Sequence, residues 1–171
     1  MSNDRLSLSR KWNIKWKPGE RGEHKALFTL NGTPDRIFPL LCPVLEYAWL
    51  PGWKCTMAYS DTGVAEKDCM FYTNEGFGKT ALWTCVAHEP DSFVDYLATT
   101  GRTGAMRLTI RLTPNGSDKT EVEWRMLFTG LSALGRLVIR RRFSRERFKR
   151  MMRDRERELN WYLEHGAMIG G

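Results

Sequence analysis

Over most of its middle the chain alternates hydrophobic and polar positions with a period of two. "AMRLTIRLT" (105–113) puts Met106, Leu108, Ile110 and Leu112 on one face and Arg107, Thr109 and Arg111 on the other. "TEVEWRMLF" (120–128) does the same with Val122, Trp124, Met126 and Phe128 inward. "WKCTMAY" groups Trp53, Cys55, Met57 and Tyr59, and "TALWTCVAH" groups Trp83, Cys85 and Ala87. With "HKALFTL", "DCMFYT" and "DSFVDYLAT", separated by "SDTG", "NEGFGK", "TGRTG" and "PNGSDK", these segments predict an antiparallel sheet of six to seven strands with one wet face. Acids and arginines on the outer faces of the last two strands are placed to pair across the ladder.

The period changes at two places. After the first strand, "NGTPD" caps a short helix, "PDRIFPLL", which Pro39 and Pro43 interrupt; a second short helix runs through "VLEYAW" to Pro51-Gly52. From Ser132 to about His165 a step of three and four predicts one long helix, with Gly166 as its stop. The fold class is therefore α+β, a curved antiparallel sheet wrapped around a C-terminal helix, with a cleft between them suited to a ligand. Residues 1–23 are polar, with Trp12, Ile14 and Trp16 on one parity, which suits a short strand or a packing arm; "KPGERGE" reads as a turn. Residues 24–171 form the single domain.

Composition narrows this further. With 42% hydrophobic and 27% charged residues the chain is globular. It has no apolar run long enough for a membrane span and no signal-like start, so the expected location is the cytoplasm. Cys42, Cys55, Cys69 and Cys85 form no C-x-x-C pair, and no histidine stands at finger spacing. Neither a zinc site nor a disulfide framework is expected, and no metal or cofactor is assigned. A soft-metal trio of Cys55, Cys69 and Cys85 is the weaker alternative to small residues making room inside a curved sheet. His88, beside Glu89, reads as solvated.

The net charge of +7 is local: residues 136–157 hold eleven Lys and Arg against three acids, leaving the rest near neutral. Arg141, Arg145 and Arg155 fall on the apolar stripe of the long helix. A kink near Ser144 would turn them outward. The alternatives are snorkelling, or a role in the cleft against an anionic group or Glu46.

"LLCPVLEYAWLPGW", "CMFYT", "ALWTCVAHEP", "TEVEWRMLFTGLSALG" and the closing helix to "YLEHG" resemble bacterial members of the START-like, or SRPBCC, superfamily. The resemblance covers roughly residues 25–166. It implies the helix-grip fold and an elongated cavity for an apolar or amphipathic small molecule. It implies no catalytic residue, because that superfamily shares none.

Within that frame the candidate cavity residues are Glu46, Trp49, Trp53, Cys55, Tyr59, Phe71, Trp83, Trp124 and Arg155. Glu46 is the odd member, one carboxylate in a stretch nearly free of charge. It is either a solvated acid, paired or not with an arginine of the long helix, or a polar anchor at the cavity mouth. The aromatics either fill the core or line the cavity, and seven tryptophans in one small domain favour a mixture. Two functions stay open. One is binding or transport of a hydrophobic or amphipathic molecule, with a lipid- or polyketide-cyclase-like protein as its variants; no catalytic motif is evident. The other is attachment of the basic 136–157 segment to nucleic acid or an anionic membrane.

Overall fold

In the computed structural model the described residues are 20–76 and 79–170. Trp12, Ile14 and Trp16 lie outside them. The chain opens with β1 (Glu20–Leu30), followed by α1 (Pro34–Ile37) and two single 3-10 turns, Phe38–Leu41 and Leu45–Ala48. Next come β2 (Cys55–Tyr59), β3 (Met70–Gly76), β4 (Lys79–Glu89), β5 (Phe93–Thr99), β6 (Gly104–Pro114) and β7 (Thr120–Gly130). Two helices finish it, α2 (Ala133–Arg142) and α3 (Arg145–His165). The seven strands form one antiparallel sheet in the order β1-β7-β6-β5-β4-β3-β2. Among the described residues no helix is long and apolar enough to cross a membrane.

The alternation of the sequence is the alternation of burial. Val122, Trp124, Met126 and Phe128 of β7 are buried, as are Met106, Ile110 and Leu112 of β6 and Val94, Tyr96 and Ala98 of β5. α3 lays Phe148, Met152 and Leu159 against this face, each burial contributing about 1.5–3 kcal/mol. The outer-face ion pairs join different strands from those expected. Lys25 meets Glu123 at 2.6 Å and Arg125 meets Glu23 at 2.8 Å, tying β7 to β1. Arg107 of β6 meets Asp95 of β5.

Three departures from the sequence reading have physical causes. β1 starts at Glu20, inside the expected turn, because β7 offers partners as far as Gly130, which pairs with Glu20. Tyr59 leaves the inner face because a register shift between Met57 and Tyr59 reverses its parity; its hydroxyl donates to Asp61 at 2.9 Å, out in solvent.

The long helix is two helices. Phe143 leaves the helical path and stacks its ring on Phe128 at 4.0 Å between centroids. Its carbonyl accepts from His24 Nε2 at 2.5 Å, and the His24 ring stacks on Phe148. Ser144 then turns extended and α3 starts afresh. This break leaves Arg141 and Arg145 exposed.

α2 is locked to the sheet end by backbone-to-backbone packing. A Cβ on Gly135 would fall 1.9 Å from the Thr103 carbonyl oxygen, and one on Gly130 would fall 2.8 Å from the Arg136 nitrogen. Ser132 caps the helix by accepting from Gly135 N–H at 3.1 Å. Gly135→Ala must therefore force backbone apart. The expected loss is about 2 kcal/mol or more, read from the urea midpoint. A change of only a few tenths would mean that α2 is not seated this way.

Candidate functional site

The site is built by the proline-broken segment between β1 and β2. A 3-10 turn at Leu40 would need an N–H three residues on, but that residue is Pro43. The Leu40 carbonyl instead accepts from the Trp49 indole N–H at 2.8 Å. The Pro43 carbonyl accepts from the Trp53 indole N–H at 2.7 Å and from the Cys55 thiol at 3.3 Å. The Tyr96 hydroxyl, reaching up from β5, donates to the Leu41 carbonyl at 3.3 Å. Tyr47 Oη donates to the Cys55 carbonyl and accepts from the Cys55 N–H, both at 2.9 Å. The segment is thus pinned over one end of the sheet by side chains that meet its stranded carbonyls.

Beneath it lies a small cavity of about 30 Å³, open to solvent on one side, lined by Leu41, Pro43, Glu46, Trp53, Phe71, Trp83, Tyr96 and Leu108. Its floor is aromatic. Phe71 and Trp83 face each other across β3 and β4 with ring centroids 5.9 Å apart and nearly parallel planes. Tyr96 stands edge-on to both, at 5.7 and 6.5 Å. The indole N–H groups of Trp53 and Trp83 are engaged with Pro43 O and, at 2.9 Å, Thr73 Oγ1. These two indoles therefore offer the cavity no free N–H donor. Glu46, half-buried, supplies the carboxylate. Burial pushes the Tyr96 hydroxyl well above its ordinary range, with the nearby thiols and Glu46 adding to it, so it remains a donor.

Leu41 and Tyr96 are also walls of a second pocket, of about 260 Å³, on the outer flank. Phe38, Cys42, Val64, His88 and Asp91 complete much of its lining. His88 is half-buried, its ring edge-on to Phe38 at 5.0 Å, so it is not the solvated histidine expected. The small aromatic chamber and this larger pocket thus share two lining residues.

Of the sequence candidates, Glu46, Trp53, Phe71 and Trp83 come together on this cavity. The others stand elsewhere. Trp49 is fully buried under the segment, and Cys55 sits just behind Pro43. Tyr59 is outside. Trp124 is buried in β7 with its indole N–H lacking a partner. Arg155 pairs with Glu158 at 2.9 Å and lies over the Trp49 ring, 5.9 Å from its centroid. It is engaged there and is not part of the cavity lining. Leu108 was available from strand parity, since it shares the predicted inner face of Met106 and Ile110; Tyr96 lies in the strand "DSFVDYLAT", to which no inner face is assigned. Leu41 and Pro43 were not available, because 3-10 turns carry no usable period.

The cysteines do not converge on one point. Cys69 and Cys85 face each other across β3 and β4, with the Cys85 N–H donating to the Cys69 carbonyl at 3.0 Å. Cys55 lies opposite Thr73. All four are free thiols, and among the described residues no three His, Cys, Asp or Glu side chains gather as a metal site requires.

No family model matches the chain, and no curated protein matches it. Solved structures do. Norcoclaurine synthase from Thalictrum flavum, in complex with dopamine and hydroxybenzaldehyde, aligns with a TM-score of 0.61 and 14% identity. The match covers 86% of this chain and 89% of that one. DynU16, from the dynemicin biosynthetic locus, aligns at 0.58 and 14% identity over 85% of this chain, which spans about half of DynU16 (48%). MLL2253 from Mesorhizobium loti aligns at 0.52 and 16% identity, over 82% of this chain and 97% of that one. These likenesses show the fold: the chain is a helix-grip protein, as its resemblance to the START-like superfamily implies.

The Cys69–Cys85 contact gives a pH test. A hydrogen bond from the Cys85 thiol outweighs burial and lowers the Cys69 pKa from 9.0 to about 7. The same contact and burial push Cys85 up, so it keeps its proton. A value lowered in the folded state adds stability that is complete above the ordinary thiol range and is lost as pH falls through about 7. Thiolate absorbance should show a titration near neutrality that moves upward in Cys85→Ala. An unchanged midpoint in that variant would contradict the assignment.

Proposed function

We propose that the protein binds a small aromatic molecule in this aromatic-walled chamber. The ligand's ring would lie against Phe71, Trp83 and Tyr96, and a hydrogen-bond donor or amine on it would face Glu46. The observation that carries this reading is a carboxylate, Glu46, lining the same cavity as the aromatic side chains of Trp53, Phe71, Trp83 and Tyr96. Such a chamber rewards an apolar body and singles out a donor. An anionic tail, considered from the sequence, finds no support here: Arg141 and Arg145 are exposed, and Arg155 is paired with Glu158.

The chamber as it stands, about 30 Å³, has room for roughly one water molecule. A ligand therefore needs the adjoining flank pocket. The two pockets share Leu41 and Tyr96, whose hydroxyl donates to the Leu41 backbone carbonyl at 3.3 Å and whose ring packs against Phe71 and Trp83. Swinging these two side chains would merge the two spaces without disturbing the strands. Norcoclaurine synthase, which shares the fold, was solved with an aromatic amine and an aromatic aldehyde. That precedent supports the ligand class.

A cyclase-like reaction in the same cavity is the second reading. It is favoured by Glu46 and Tyr96 lining one space, which would set a carboxylate base in the same cavity as a phenol. Its test is turnover; binding alone does not require it.

The binding test uses N-phenyl-1-naphthylamine, a fluorescent apolar amine. Leu108→Trp places an indole in the chamber opposite Tyr96 and should weaken probe binding at least about tenfold. Glu46→Gln removes the charge that accepts the amine and should cost about tenfold. Binding left unaltered by both variants would refute the site.

A further inference from the structure

We propose that α2 and the start of α3 form a docking surface for an anionic phospholipid bilayer. The surface is distinct from the ligand chamber and does not depend on it. Three observations converge on it.

The first is apolar exposure on a seated helix. Leu131, Leu134 and Leu137 are 54%, 55% and 45% exposed. α2 has a core-facing side, on which Gly135 and Ile139 are buried, and glycine packing holds that side against β7 and Thr103. The leucines therefore point away from the sheet by construction. Leu134 and Leu137 lie one turn apart on the outward face, with Leu131 just ahead of the cap.

The second is a predominantly basic charge around them. From Leu131 through Arg145 there are five arginines, Arg145 included, and no acidic residue. Arg136, Arg140 and Arg141 are exposed. Arg141 follows Leu137 by one turn, and Arg140 flanks the leucines on the other side. Arg140 is bridged by Glu20 of β1 at 2.8 Å, which leaves the others to give the patch its sign. Exposed Arg145, Arg147 and Arg150 continue the basic surface onto the first turns of α3, where the one acid, Glu146, lies 3.9 Å from Lys149.

The third is geometry. A ten-residue helix is about 15 Å long, enough to lie in a headgroup layer but not to cross it. Leucines would enter the acyl boundary while arginine guanidinium groups stay with the phosphates. The leucines decide between candidate partners. Nucleic acid would reward the arginines but leave a cluster of half-exposed leucines unexplained. A bilayer uses both.

The test is co-sedimentation of the full chain with vesicles, one set of phosphatidylcholine alone and one mixed with phosphatidylglycerol. Binding is expected only to the anionic set, weakening as salt rises. Leu134→Ser with Leu137→Ser, and separately Arg136→Gln with Arg141→Gln, should each weaken it about tenfold or more. All four side chains are exposed, so the thermal midpoint and N-phenyl-1-naphthylamine binding serve as fold controls. A second readout is Leu134→Trp, whose emission should shift blue on anionic vesicles and be quenched by brominated lipid. The proposal is overturned by any of four results: no vesicle binding, equal binding to neutral vesicles, leucine variants that bind like the wild type, or a tryptophan that stays in water. Retention of duplex DNA by the wild type without vesicle binding would likewise overturn it, in favour of nucleic acid.

Discussion

The site depends on a backbone that cannot satisfy itself. Pro39 and Pro43 prevent the segment after β1 from becoming a regular helix, and Pro43 denies the Leu40 carbonyl its partner. Buried carbonyls left alone cost about 1–3 kcal/mol each. Here they are met by two tryptophan indoles, a tyrosine hydroxyl and a thiol. Two consequences follow. The segment is held as a roof over one end of the sheet, and the aromatic rings that hold it become the chamber walls. Trp53 and Tyr96 are fasteners and lining at once. Glu46 sits on the roof between those fasteners, which is why a nearly uncharged stretch can place one acid over the cavity.

The other end of the molecule follows a comparable logic. There His24 and Phe128 take the carbonyl and the ring of Phe143, and the terminal helix breaks. The break separates two tasks that a continuous helix would merge. α3 keeps Phe148, Met152 and Leu159 on the sheet. α2 is seated by Gly130 and Gly135 and turns its leucines and arginines outward. The basic segment is thus divided between a core helix with solvated charges and a short helix with a mixed apolar and basic face.

The sheet was legible because its signal is a simple period. Six to seven strands and the inner faces of four of them follow from alternation, with errors at the start of β1 and at a bulge, where one extra residue reverses the parity of Tyr59. The helix break was only partly legible. Ser144 marks a stopping place, yet the contacts that enforce it come from His24 and Phe128, more than a hundred residues away and about fifteen residues away respectively in sequence. Of the chamber, Glu46, Trp53, Phe71 and Trp83 could be found by composition and parity. Leu41 and Pro43 could not, since nothing in a proline-broken turn says which way a side chain faces. Arg155 illustrates the opposite error. An arginine on an apolar stripe suggests a ligand, but Glu158 one turn on and the face of Trp49 already account for it.

The central claim is that a ligand enters the chamber between roof and sheet. The most direct measurement follows the indole N–H signals of the seven tryptophans by nuclear magnetic resonance while N-phenyl-1-naphthylamine is added. Trp53 and Trp83, whose rings wall the chamber, should shift together and saturate at one affinity. Trp161, exposed and stacked on His165, should not move. Movement of Trp161 with Trp53 and Trp83 unchanged would place the ligand on the surface and contradict the account.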